Sequence, residues 1–141
     1  MLAKDITELI ITELQNYSRK RRSPMEKNIV LEKSFAFALR IAKLYRHLVD
    51  VKKEYVLSKE LLLAGTNIGR HVKEAVFAES RETFVTEFGV ARRKSADTEY
   101  WLQLLLFDGL LNENEFESID SDRIEVTKLI NSIRTTAKNN G

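Results

Sequence analysis

The stretch FVTEFGVARRKSADTEYWLQLL, residues 84–105, decides the fold. Phe84, Phe88, Ala91, Ser95, Thr98, Leu102 and Leu105 follow one another at steps of four and three. That spacing keeps them on one seam of a helix, where they meet other helices. The middle of the seam is built from small residues. Ser80 is placed to cap the start of this helix, because its hydroxyl can accept a bond from a free first-turn amide. Gly109 is a natural stop, so the helix is expected to run to about Asp108.

Outward from this seam the same period recurs. Toward the N-terminus, Leu61, Leu62, Gly65, Ile68, Gly69, Val72, Ala75 and Ala78 line one side of a helix reaching about Ala78. Ser58 is its candidate N-cap. Before it, two adjacent stripes mark a helix from about Val30 to Asp50: Phe35, Ala38, Ala42, Tyr45 and Val49, then Phe37, Ile41, Leu44 and Leu48. Toward the C-terminus, Asn112 with Glu115 three residues on forms a capping-box pair. Phe116, Ile119, Val126, Ile130 and Ile133 form the stripe that follows, and the polar tail from Thr135 is expected to fray. Four long helices with short connections make an all-α, antiparallel up-down-up-down four-helix bundle.

The single proline, Pro24, divides the chain. Residues 2–16 read as a short extra N-terminal helix with Ile6, Leu9, Ile10 and Leu14 at helical spacing. Arg19, Lys20, Arg21 and Arg22 then repel one another, and Pro24 cannot continue a helix. The expected organisation is an extension over 1–24, a short helix plus a basic linker, and a bundle domain over 25–141.

Composition bounds the function. The 141 residues carry 23 basic and 21 acidic side chains, a balance too even to imply nucleic-acid binding by bulk charge. No cysteine is present, which removes disulfides, thiolate metal sites and cysteine catalysis. Neither a secretory signal nor an apolar run of membrane-spanning length is evident, so a cytoplasmic protein is expected. The charge is uneven: residues 28–56 hold six basic and three acidic side chains, residues 112–141 four and six.

Catalytic and metal chemistry finds little support. His47 and His71 lack the Glu-x-x-His spacing of a di-iron bundle, since Leu44 and Ile68 stand three residues before them. His71 and Glu74 lie one turn apart, but two ligands do not make a metal site. The stretch 65–69, Gly-Thr-Asn-Ile-Gly, lacks the ending and the preceding strand of a phosphate loop. Asp97 and Glu99, two apart, point to different faces and do not pair as acid and base. The expectation is a protein that is not an enzyme, without cofactor, metal or small-molecule substrate.

Binding is the better-supported class. Arg92, Arg93 and Lys94 are the densest charge within the bundle, and the run Arg19, Lys20, Arg21 and Arg22 is a second basic candidate. Both suit phosphates, because neutralising them releases counterions; both are equally what a solvated helix face or a solubilising linker carries. The leucine triplets at 61–63 and 104–106 cover about 300° of helix circumference, more than a lone bundle buries. A second buried face, with Leu63, Leu106 and Trp101 as interface candidates, accounts for the excess. One leucine of each triplet at the core's edge is the alternative. Gly65 and Gly69 permit a close helix approach, or else mark a kink at Gly65-Thr66.

Five quoted pieces carry a resemblance: residues 34–38 (SFAFA), 55–62 (YVLSKELL), 65–69 (GTNIG), Glu74-Ala75 and 99–102 (EYWL). Together they resemble the four-helix-bundle proteins encoded by intervening sequences in bacterial 23S ribosomal RNA genes. The resemblance runs from about Val30 to Lys138. It implies an antiparallel bundle assembling as a ring, a homopentamer. It brings in a relative, the accessory protein of diversity-generating retroelements, which binds nucleic acid and works with a reverse transcriptase. It implies no established activity for the intervening-sequence proteins themselves. The expected partners are further copies of the chain and RNA or a nucleic-acid enzyme, with no membrane.

Overall fold

The computed structural model describes residue 12 and residues 25–140, with side chains from residue 29 onward in the latter. Apart from residue 12, the expected N-terminal helix lies outside the described residues, as does the Arg19–Arg22 run. Four helices follow in order: α1 (Met25–Asp50), α2 (Leu57–Val76), α3 (Arg81–Phe107) and α4 (Glu113–Asn139). Among the described residues there is no strand. Each helix packs on its neighbour in the chain, and α1 closes the ring of four against α4. This is the up-down-up-down bundle that short connections impose.

The core is the set of seams already visible as periodicity. Phe37, Ile41 and Leu48 of α1, Leu61, Ile68 and Val72 of α2, Phe88, Leu102 and Leu105 of α3, and Val126 and Ile130 of α4 are all fully buried. Gly65 and Gly69 bring α2 close to α1, within a continuous helix. A Cβ on Gly65 would stand 2.8 Å from Ile41 Cγ1, and one on Gly69 3.3 Å from the Ser34 carbonyl oxygen. The glycines remove side chains where the neighbouring helix needs the space.

The ends follow local chemistry, with two corrections. Ser80 accepts the Thr83 N–H, and Asn112 and Glu115 form the reciprocal capping box. Gly109 sits at φ +80°, the left-handed conformation that releases α3. Ser58, however, is not the cap of α2. The helix begins one residue earlier, and the Glu54 carboxylate accepts the N–H groups of Val56, Leu57 and Ser58 at 3.1, 2.8 and 2.7 Å. A carboxylate has more acceptor capacity than a hydroxyl and carries the charge that a helix N-terminus attracts. Ser58 is buried, and its hydroxyl donates to the Glu54 carbonyl. The second correction is at the C-terminus. Rather than fraying from Thr135, α4 runs to Asn139, and the Ala137 carbonyl accepts a bond from Arg81 Nε at 3.2 Å.

Candidate functional site

The basic triad of α3 divides by position. Ser95 and Ala91 point into the core, so the residues between them turn outward: Arg92 and Arg93 are exposed, and Lys94 is half-buried with Asp97 Oδ2 at 3.9 Å. Among the described residues neither Arg92 nor Arg93 has an ion-pair partner. The cations of α1 behave differently. Lys33 reaches Glu125 Oε1 at 3.0 Å, and Arg40 reaches Asp122 Oδ2 at 2.6 Å and the Ser118 carbonyl at 3.1 Å. The charge asymmetry between residues 28–56 and 112–141 is thus partly consumed by pairing across the α1–α4 seam.

Apolar side chains accompany the arginines. Arg93, Tyr100 and Phe107 recur every seventh residue on the outer face of α3, and Phe107 is 86% exposed. Val56 just before α2, Leu63 on α2 and Leu104 on α3 are exposed as well. Of the three interface candidates, Leu63 is 49% exposed, whereas Leu106 and Trp101 are half-buried. Trp101 packs against the edge of the core with its ring edge-on to Tyr100, centroids 5.0 Å apart. The leucine triplets therefore step from core to surface: Leu61 and Leu105 are buried, Leu62 and Leu106 intermediate, Leu63 and Leu104 exposed.

The histidine beside Glu74 points elsewhere. His71 Nδ1 lies 2.7 Å from Glu87 Oε2 on α3, tying α2 to α3. Among the described residues no group of three or more His, Cys, Asp or Glu converges to hold a metal. Asp97 stays on the surface while Glu99 turns to α4, as their spacing required.

Glu99 leads to what periodicity alone passed over. Arg123 of α4 is buried between the two helices. Its Nε donates to Asp120 Oδ1 at 2.6 Å, Nη2 to Glu99 Oε2 at 2.8 Å and Nη1 to Ser95 Oγ at 3.1 Å. Ser95 shares a hydrogen bond of 2.5 Å with Thr127, whose hydroxyl also meets the Arg123 carbonyl. The signal was present: the α4 stripe jumps from Ile119 to Val126, and Arg123 occupies the missing step, opposite the small middle of α3. The cluster is internally hydrogen-bonded, with Glu99 at its solvent edge, a clamp between α3 and α4 rather than a reactive centre.

No helix of the described residues is long and apolar enough to cross a membrane. Comparison with curated proteins returns no match. A solved structure of a protein of unknown function from the S23 ribosomal protein family of Bacteroides thetaiotaomicron matches with a TM-score of 0.78 and 41% identity, over 79% of this chain and 99% of that one. Neither that neighbour nor the family match indicates an enzyme class. The family described as 23S rRNA-intervening sequence protein matches residues 26–132, and the chain belongs to it.

Proposed function

We propose that the protein is a non-enzymatic, oligomeric interaction module of the cytoplasm that grips RNA phosphates through the outward arginines of α3. The carrying observation is the contrast between cations. Lys33 and Arg40 are engaged by acids of α4, whereas Arg92 and Arg93 stand in solvent with no ion-pair partner among the described residues. Contact to phosphates, not bases, is the mode that such solvent-facing guanidinium groups favour. Repetition around a ring would multiply this modest cluster; the exposed apolar side chains of α2 and α3 support self-association into such a ring, a pentamer by family resemblance. The same apolar band favours a second reading, a protein-binding scaffold with no nucleic-acid role.

Electrophoretic shift with single-stranded RNA at several salt concentrations separates the two. Binding through phosphates falls with a log-log slope of about −0.7 per phosphate neutralised. Replacing Arg92, Arg93 and Lys94 together by Glu should weaken binding across sequences and flatten that slope, with assembly unchanged by light scattering. No shift with the unmodified chain would leave the scaffold reading. A particle mass of 16.3 kDa, one chain, would end the oligomeric part.

A further inference from the structure

An open groove of about 440 Å³ runs between the outer edges of α1 and α2. Its floor is apolar: Leu31, Phe35 and Ala38 from α1 face Gly69 from α2. Arg70 and Lys73 stand on its α2 side, with Glu74 beside them, so the rim carries more positive than negative charge. We infer that the groove is the docking site of this chain's own segment 6–14.

Three observations choose that occupant. The first is chemistry. Ile6, Leu9, Ile10 and Leu14 form an apolar stripe, and residues 1–16 hold three acids, Asp5, Glu8 and Glu13, against the single base Lys4. Stripe matches floor and charge matches rim. The second is length. Nine residues at helical rise extend about 12 Å, close to the roughly 10 Å from Leu31 to Ala38 along α1. The third is reach. Ten residues separate Leu14 from Met25, enough for up to about 35 Å of chain. The groove begins only about 9 Å along α1 from its first residue. The segment can therefore turn back along α1 with chain to spare. The family match begins at residue 26, so this contact would be an addition to the shared bundle, laid on its outside.

The chain has no cysteine, which makes disulfide trapping clean. In the full chain, Leu9→Cys is combined with Ala38→Cys in one variant and with Lys73→Cys in another, and with Glu117→Cys on α4 as the distant control. Mild oxidation should give a disulfide within one chain for at least one groove pair, at least tenfold faster than for the control. Disulfides forming only between chains would assign the groove to a neighbouring copy and overturn the inference, as would groove pairs no faster than the control. Amide hydrogen exchange on the unmodified chain guards against misfolded variants. Amides of residues 6–14 should be protected at least tenfold, and Ala38→Glu should abolish that protection while the core of α3 keeps its own. Unprotected amides in the unmodified chain would equally overturn it.

Discussion

The two helical hairpins close their seams in opposite ways. Between α1 and α2 the seam closes by absence: Gly65 and Gly69 present no side chain, and Ile41 and the Ser34 backbone fill the space. Between α3 and α4 it closes by a charged side chain: Arg123 lies at a core step, with Ala91, Ser95 and Thr98 leaving room for it. Small residues on a helix face therefore mark space, and the facing helix determines what enters it. The first solution is sensitive to added volume. The second is sensitive to a missing partner, because a buried charge without its counterpart carries its whole desolvation cost.

The largest expected effect tests the second solution. Arg123→Met removes the guanidinium while leaving Asp120 buried and the Ser95 hydroxyl without its Nη1 donor. Breaking a buried pair on one side costs about 3–5 kcal/mol. Denaturant unfolding should show a midpoint loss of that size. Adding Asp120→Asn and Glu99→Gln to the same chain should recover part of it, since the orphaned charges are then gone. A single variant that loses less than about 1 kcal/mol would mean that water reaches the cluster freely and that the two seams do not differ in kind.

Gly65→Ala tests the first solution at a smaller scale. The new methyl would lie 2.8 and 2.9 Å from Ile41 Cγ1 and Cγ2, both on a fully buried side chain that cannot swing away. Overpacking of this kind costs about 1–3 kcal/mol, and alanine returns about 1 kcal/mol of helix propensity. The net expected is a loss of up to about 2 kcal/mol. Gly69→Ala meets Ser34 at longer range, its carbonyl oxygen at 3.3 Å and its Oγ at 3.5 Å, and should be close to neutral. Equal effects at the two positions would show that helix separation, not Ile41, controls the seam.

How much of this was legible depended on whether the signal was local and periodic. The α3 seam, the capping box at Asn112 and the stop at Gly109 are written in short spacings, and the structure follows them. Arg123 was hidden because a pattern of apolar residues skips a charged one, although the skipped step was itself the clue. Glu54 was hidden for a different reason. A capping search looks at the residue next to the helix, and Ser58 offered an acceptable hydroxyl, while the carboxylate acts from a turn three residues ahead of Leu57. The basic triad was legible as a charge cluster, but not the engagement of Lys33 and Arg40 by α4. That pairing requires knowing which helices become neighbours.

The helix starts extend the contrast between the hairpins and give the smallest effect. In the first hairpin α2 is capped by a charge, Glu54; α3, which opens the second, is capped by the neutral Ser80 hydroxyl. Burial pushes the Glu54 carboxyl up, but the N–H groups of Ser58, Leu57 and Val56 outweigh it, and its pKa is held below the ordinary 4.5. A carboxyl lowered on folding contributes stability above its unfolded pKa, and that contribution disappears as pH falls through the folded value. Glu54→Ala and Ser80→Ala should each cost about 1 kcal/mol at neutral pH. Below about pH 4.5 the Glu54→Ala cost should shrink toward zero as the unmodified chain loses its charged cap. The Ser80→Ala cost should persist over the same range, because a hydroxyl does not titrate there. Thermal unfolding of the three chains from pH 7 to pH 3 reads the difference. A Glu54→Ala cost that persists to pH 3 as the Ser80→Ala cost does would mean that the Glu54 charge contributes nothing beyond the hydrogen bonds any neutral acceptor could make.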